Sequence, residues 1–448
     1  MWSTKKINDF LGAALDSCTK LGATACEAIV VTSENESVSI REKIVDGVER
    51  AETAALGLRL FVGKRAATVS TSDFSEAAIK ATVEKGIAIA KAVPEDPYIG
   101  IAESAQLATE FKDFDVADKT VVSPQKMIDW ALEAEAAAFG DKRVTASRGA
   151  GFSRSYSQST IATSAGFFGQ RAGSSFGGGV HIIATDNGQA STGYQGTSAP
   201  HFSDLKTAQA VGALACKEAC AGLNAIQIPS EKLPIFIERE AAASFLSHFL
   251  GMINGDAVST GMTLLKDAMG TAVFSPEVTI IDDPHRLRHF GATGFDDEGL
   301  PTKRCTFVKE GILQSWILDL KRARKLGLAP TGHGARGLSS PPYPQAHAPY
   351  IQAGKQSPEE IIASMGRGIV ITDFMGSAVS LMTGDYSRGF MGFLVEDGQK
   401  VKPLREMTLS GNLKDIFKAL IPASDLLFEH GINSPGLYIP APMSISGA

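Results

Sequence analysis

Apolar residues near the start of the chain, Ile7, Phe10, Leu11, Ala14, Leu15 and Leu21, fall close to one helical face, which predicts an amphipathic helix over 5–22. The period then shortens. Ala28 to Val31, Val38 to Ile40, Gly47 to Arg50, Leu56 to Phe61 and Ala66 to Ser70 alternate or cluster apolar residues between turn residues, as antiparallel strands do. Ser72 and Asp73 offer an N-cap for a helix from Phe74 to Ala92. A helix, a meander and a second helix describe a two-layer α+β unit.

Val93-Pro94-Glu95-Asp96-Pro97 breaks the pattern, and the polar stretch to Val121 has little periodicity, so the first boundary falls there. A helix over 123–139, strands over 143–153, 155–164 and 167–185, and an Ala-rich helix over 203–223 closed by Gly222 and Asn224 follow. Ile228-Pro229-Ser230 marks a second junction, after which come a strand from Leu233, an apolar helix over 240–252 and many short strands. Two hairpins there look alike, Phe307 to Ile312 and Leu394 to Gln399, each with an acidic residue and Gly at its turn. The expected fold class is α+β, with an N-terminal two-layer helix/antiparallel-sheet domain over 1–105, a middle α+β domain over 120–226 and a β-rich C-terminal domain over 230–448.

A chain of 448 residues exceeds what one hydrophobic core serves, which agrees with two or three domains. Hydrophobic content of 44% and charged content of 21% are those of a folded globular protein. The 43 basic and 49 acidic residues leave a net charge of −6, with no Lys/Arg block to follow a phosphate backbone, so nucleic acid is not an expected partner. Asp9 and Asp16 interrupt the N-terminus where a signal-peptide core would lie, and no export is indicated. The most apolar long stretch, Leu233 to Ile253, is broken by Glu238-Arg239-Glu240 and falls short of the ~20 apolar residues that cross a membrane. No membrane association and a cytoplasmic location are therefore expected. Cys18, Cys26, Cys216, Cys220 and Cys305 are odd in number and scattered, which fits a reducing compartment rather than a disulfide framework. Cys216 and Cys220 lie four apart on a predicted helix with no second pair beside them, so they read as buried thiols rather than metal ligands.

Three motifs resemble sites and fail on context. Gly173 to Gly177 matches G-x-S-x-G, but a nucleophile elbow needs a helix directly after the serine and here Gly178 to Ile183 continues as strand. Gly332 to Gly337 matches G-x-G-x-x-G, yet Leu338 to Pro342 cannot open a dinucleotide-binding helix, so the segment is a loop, either near a cleft or subunit contact or at a plain surface turn. His285 and His289 could share a helical face over zinc, with Pro284 to start the helix. Arg286 and Arg288 would repel the ion, and a solvated turn is the simpler account.

The run MTGDYSRGFMGFLVEDG, Met382 to Gly398, concentrates polar groups beside glycines and then enters a hairpin. Asp385, Tyr386 and Arg388 offer a carboxylate, a phenol and a guanidinium in one turn, either to contact an extended peptide or, as an Asp–Arg pair, to hold the turn itself. Together with KLGLAPTGHG (Lys325 to Gly334), GFDDEGLPTKR (Gly294 to Arg304) and EMTLSGNLKDIF (Glu406 to Phe417), this run resembles the TldD/PmbA family, on its PmbA (TldE) branch. Phe390 and Met391 depart from it, standing where the family usually has small residues. The likeness is dense over the C-terminal half and a matter of pattern over the N-terminal half.

The resemblance implies a subunit of a cytoplasmic two-subunit zinc metalloprotease that degrades or matures short or unfolded peptides in a chamber between subunits. In the catalytic branch, the helix after the position of Glu238 carries HExxxH, whose histidines bind zinc and whose glutamate activates water, and a Cys further on completes the site. Here Glu238 to His248 holds one histidine and no cysteine follows Cys305. The resemblance therefore implies no catalytic residue and no cofactor in this chain, with zinc supplied by a TldD-type partner. A replacement metal site from His248, His430 and a carboxylate is conceivable on composition only; the simpler reading of His248 is a hydrogen-bonded helix histidine. A non-enzymatic homodimer that binds peptides as a chaperone or regulator shares the same missing ligands. In either case a sheet edge of the β-rich domain is suited to hold an extended peptide by strand addition.

Overall fold

The computed structural model describes residues 4–447; residues 1–3 and 448, which the expected first and third domains include, lie outside them. Helix α1 (Thr4–Lys20) buries Ile7, Leu11, Ala14 and Cys18, about one residue per turn, so the amphipathic spacing becomes a helix laid on a sheet. Strands β1 (Ala25–Arg41), β2 (Ile44–Val62) and β3 (Arg65–Thr71) form the antiparallel meander. Helix α2 (Glu76–Ala92) follows, capped by the Ser75 hydroxyl on Ala78 N–H rather than by Ser72 or Asp73; Asp73 instead accepts from Ser75 N–H at 2.8 Å.

These strands run well past the apolar clusters that predict them. Polar Thr32 to Ser37 stay extended because β1 is paired on both sides, and the backbone ladder holds them whatever their side chains prefer. The next strands behave alike. After helix α3 (Pro124–Ala138), capped by Ser123, the two strands expected over 143–153 and 155–164 form one bulged strand, β4 (Val144–Thr163). Strand β5 (Phe168–Asp186) agrees with expectation, whereas β6 (Gln189–Ala199), with little apolar alternation in QASTGYQGTSA, shows itself only through its pairing with β5. The long helix begins late, because 202–204 form a single 3-10 turn before α4 (Ala208–Ala221). Since β1 pairs with β4, one sheet in the order β3-β2-β1-β4-β5-β6 runs through both segments, with α1 and α2 covering one half and α3 and α4 the other.

The last segment starts with β7 (Glu231–Ile237) and helix α5 (Arg239–Met252). Strands β8 (Ile280–Asp282), β9 (Cys305–Lys309) and β10 (Ile312–Leu313) follow, then the short pair β11 (Gly334–Ala335) and β12 (Tyr343–Pro344), and β13 (Pro349–Ile351) beside β8. Strands β14 (Gly368–Val379), β15 (Asp385–Glu396), β16 (Gln399–Asn412), β17 (Ile421–Pro422) and β18 (Leu437–Gly447) complete the chain. Because β16 pairs with both β15 and β18, and β7 sits between β14 and β18, these strands close into a ring with β17 on its outside. Phe245, Leu246 and Phe249 of α5 share a core with Ile235, Ile237, Ile371, Phe390 and Leu409 of the ring strands. Both expected hairpins are present, turning on Glu310-Gly311 and Asp397-Gly398, where all four residues have positive φ of 48° to 81°.

The large sheet is buried on two faces where β1 and β2 cross. Even-numbered Ala28, Val30, Leu56, Leu58 and Leu60 face the helices, while Ile29 belongs to a cluster with Phe167 and Phe295, so the opposite face meets the C-terminal segment. Gly57 permits the approach: a Cβ there would lie 2.5 Å from the carbonyl oxygen of Leu338. Glu27 and Arg59 are register partners and point to this same interface, where Arg59 Nη1 is 3.3 Å from Glu27 Oε2 and 3.8 Å from Glu298 Oε1, and Arg336 Nη1 is 3.2 Å from Glu27 Oε2. Asp297 accepts from the Arg171 side chain and from Arg336 N–H at 2.9 Å. Asp296 takes the N–H groups of Glu298, Leu300 and Gly334 at 2.8 to 2.9 Å, and Glu298 takes that of Leu320 at 2.7 Å.

Four carboxylates thus meet three guanidiniums in a largely buried joint, with Arg171 at its accessible edge, and one proton would balance them. Burial, against the N–H groups that oppose it, raises Asp296 to about 7. Burial, then the nearby Asp296 and Asp319, hold Glu298 well above the usual carboxyl range despite Arg59. In the unfolded chain both groups lose their protons near pH ~4. The stability tied to them is therefore full below that pH and is lost as pH rises through 7. Between about pH 5 and about pH 8, Glu298→Gln should lose less thermal stability than the parent, gaining at least about 1 kcal/mol on it, roughly 1 °C in Tm for a chain of this length. Parallel melting profiles for the two proteins would show that Glu298 carries no buried proton.

Candidate functional site

Asp385, Tyr386 and Arg388 lie together at the start of β15 but take different environments. Asp385 is exposed and accepts from the Thr383 hydroxyl at 2.6 Å, with Gly384 before it at φ +80°. Arg388 donates through Nε to Gly376 O at 2.9 Å and through Nη2 to Phe374 O at 3.4 Å, and its guanidinium lies 4.9 Å from the Phe374 ring centroid. Among the described residues no ion pair joins Asp385 to Arg388: the arginine fastens β15 to the end of β14, and the turn is held by Thr383 and Asn412. Tyr386 is 2% exposed, stacked on Phe245 at 5.2 Å, and its hydroxyl has no hydrogen-bond partner among the described residues. Burial pushes its phenol upward, although the nearby Arg388 opposes that shift.

His248 on α5 joins this aromatic group, with its ring 6.0 Å from Tyr386 at 73°. It is not the hydrogen-bonded helix histidine expected, since Nε2 has no partner among the described residues; burial, then the Arg388 charge, lower its pKa, and the ring lies against Phe245 and Tyr386. His430 stands elsewhere. Its carbonyl accepts from His289 Nε2 at 2.9 Å, beside a hollow of about 150 Å³ that also takes in Arg288, Phe428 and Glu429. The segment carrying His285 and His289 is a turn, as expected, but His289 is 5% exposed and not solvated, because it is folded onto the His430 backbone. His285 stacks on Phe114 at 5.0 Å.

A larger cavity, about 330 Å³, opens between β4 and β5 on one side and the loops around 290–297 and 334–347 on the other. Its wall includes Ser157, Ser159, Arg171, Asp297, Gln345 and His347, and it shares Pro200 and Phe290 with the smaller hollow. The volume is near the lower end for small-ligand sites, roughly 300–1,000 Å³. Gly334 and Ala335 of the G-x-G-x-x-G loop line it, so that loop borders a cleft and is not a plain surface turn. Gly332 at φ +73° turns the loop inward, and Gly334 lacks a Cβ where one would lie 2.7 Å from Glu298 Oε2.

Behind the cavity wall, Asp282, His333 and His347 converge. Among the described residues this is the one group of three His, Cys, Asp or Glu side chains whose ligand atoms all lie within 4.8 Å of one another, and it contains neither His248 nor His430. Asp282 is fully buried and accepts the Ala348 N–H at 2.6 Å and the His347 N–H at 3.1 Å through Oδ1, and meets His333 Nε2 at 3.0 Å through Oδ2. Burial alone would raise this carboxyl, but His333, His347 and the Ala348 N–H outweigh it and hold Asp282 below the usual carboxylate range. Burial, then the neighbouring His333, push His347 down to about 4, so its imidazole is neutral.

Sequence reasoning placed none of these three in a site. Asp282-Asp283-Pro284 reads as a turn, and His333 and His347 are separated by a loop whose path the sequence does not reveal. The interface charges left a clearer signal: Glu27 in CEAIV and Arg59 in GLRLF are single charges at inward positions of strongly apolar strands, and such a charge needs a partner from elsewhere.

Removing the unpartnered phenol tests whether Tyr386 serves only to fill the core. Tyr386→Phe should leave the melting temperature unchanged or raise it, with a gain in stability of up to about 1–3 kcal/mol, because a buried hydroxyl with no partner is a liability. A clear drop in Tm would show that the hydroxyl is held by a partner.

Family models match all three segments: PmbA/TldA metallopeptidase domain 1 over 26–90, the central domain over 118–223 and the C-terminal domain over 230–447. The metalloprotease PmbA of Escherichia coli O157:H7 is 34% identical, with 94% of this chain and 92% of that protein covered. A solved protein from Bacteroides thetaiotaomicron superposes with a TM-score of 0.92 at 23% identity, covering 99% of this chain and 100% of the other. TldE from Thermococcus kodakarensis superposes with a TM-score of 0.87 at 19% identity, covering 98% and 100%. At those identities the two structures speak for the α+β fold alone, while the sequence relative and the matched domains settle the lineage. The chain belongs to the PmbA/TldD metallopeptidase family, on its PmbA branch.

Proposed function

We propose that this chain is the non-catalytic, PmbA/TldE-type subunit of a cytoplasmic two-subunit zinc metalloprotease that degrades or matures short or unfolded peptides. The observation that carries the reading is the chemistry of α5. A zinc ion that activates water needs a defined ligand set with one open position. The helix from Arg239 to Met252 presents a single histidine, which lies against Phe245 and Tyr386 and belongs to no group of three metal-ligating side chains among the described residues. The family's zinc set therefore does not fit here, and the metal and the activated water fall to a TldD-type partner.

The relatives' metalloprotease names support proteolysis as the activity of the complex. No described helix is long and apolar enough to cross a membrane, which suits a reading with no membrane step. Within the complex we assign Asp385 and Arg388 to the chamber wall, with Tyr386 as the buried support beneath them. Asp385 is the exposed member of the three and thus the one free to meet a peptide.

The test is peptidase activity on an unfolded peptide, measured for the chain alone, for a TldD-type partner alone and for the mixture. Hydrolysis in the mixture, lost when a histidine of the partner's HExxxH is replaced, is the expected result. Hydrolysis by the isolated chain would overturn the assignment. Asp385→Ala should weaken peptide capture by the mixture with Tm within about 2 °C of the parent, since an exposed side chain away from a core contributes little to stability.

A further inference from the structure

The geometry points to a divalent transition-metal site at Asp282, His333 and His347, in this chain and away from α5. The donor accounting carries it. His347 Nε2 lies 2.8 Å from Gly332 O, and a carbonyl only accepts, so Nε2 bears the proton of the neutral ring. Nδ1 is then a bare lone pair, and it has no hydrogen-bond partner among the described residues. His333 shows the mirror arrangement, with Nδ1 at 2.8 Å from Thr331 Oγ1 and Nε2 turned to Asp282 Oδ2. Ligating histidines are usually held in this way, one ring nitrogen on the metal and the other fixed by a neighbouring oxygen.

The spacing agrees with shared ligation. Two donors about 2.0–2.1 Å from one ion, at angles from a right angle to the tetrahedral value, stand about 3.0–3.4 Å apart. Asp282 Oδ2 and His333 Nε2 are 3.0 Å apart, and one ligand atom from each of Asp282, His333 and His347 lies within 4.8 Å of the other two. The His347 ring is partly accessible from the 330 Å³ cavity, which gives an ion a route in and leaves room for water on it. Two imidazoles and one carboxylate, without a thiolate, select borderline ions such as Zn²⁺ or Co²⁺ over Ca²⁺ and Mg²⁺, which take mostly oxygen, and over Cu⁺, which takes sulfur. Where a proton occupies His333 Nε2, the ion displaces it to solvent; no electron is transferred.

The rival account is a closed Asp–His pair that shares a proton and nothing else. To separate the two, the full chain is stripped with a chelator, dialysed against Co²⁺ or Zn²⁺, and assayed for metal per chain by elemental analysis, with the visible Co²⁺ spectrum and Tm recorded alongside. Expected are a single ion per chain, a Co²⁺ spectrum without thiolate charge transfer, a metal-dependent rise in Tm, and affinity at least about tenfold weaker in His347→Gln. His248→Gln and His430→Gln should bind as the parent does. Should His347→Gln fail to fold, the parent decides the matter alone: no bound metal and no shift in Tm would leave a proton-sharing pair only. Binding unchanged in His347→Gln, or lost in His248→Gln, would equally overturn the assignment. None of these readouts uses peptide hydrolysis, so the result stands apart from whether a zinc-bearing partner exists.

Discussion

The turn Asp296-Asp297-Glu298 is the constraint on which the rest of the molecule leans, because three consecutive carboxylates there are each committed to a different part of the chain. Asp296 gathers the N–H groups of its own turn and of Gly334, Asp297 takes Arg171 from the large sheet and the backbone of Arg336, and Glu298 takes Leu320 N–H and faces Arg59. Charges this deep are tolerated only if each finds a partner, since an isolated buried ion costs several kcal/mol or more. Removing one member would strand the others. The C-terminal ring and the six-stranded sheet are therefore fixed against each other by polar geometry, and the apolar contacts of Ile29, Phe167 and Phe295 fill in around it.

Much of the secondary structure was legible because local signals and tertiary demands agree. α1, α3 and α5 follow their apolar spacing and caps, and both acidic-Gly hairpins turn where Glu310-Gly311 and Asp397-Gly398 allow positive φ. Where the two levels part, the ladder wins. The polar middle of β1 and nearly all of β6 are strands because neighbours on the sheet accept and donate to them, a fact that no window of residues contains. The joining of β1 to β4 has the same origin: the polar stretch between the two segments marks a change of composition, while the sheet is set by pairing across it.

Candidate site residues were legible only where chemistry is local. The loss of HExxxH is written in the segment around α5, and so is the concentration of polar groups at Asp385 to Arg388. What the sequence hides is direction. Asp385 and Arg388 look like an ion pair three residues apart, yet in a strand successive side chains take opposite faces, and here residue 385 points to solvent while 386 and 388 turn toward α5 and β14. Asp282, His333 and His347 meet because two loops fold back on the end of β8, which is long-range information.

Cavity and joint are not independent structures. Arg171 and Asp297 line the cavity and are also members of the joint, and the loop from Gly332 to Arg336 supplies cavity wall, Asp296 ligand and the Arg336 side chain at once. Any change in the cavity's shape on that side must move a group whose partner is buried. Packed interiors resist such shifts in a continuous way and give only by discrete rearrangement. Arg171, Asp297 and Gly334 are consequently the rigid part of the cleft wall, while Phe290, 40% exposed, and Gln345, exposed, are lining residues outside that joint.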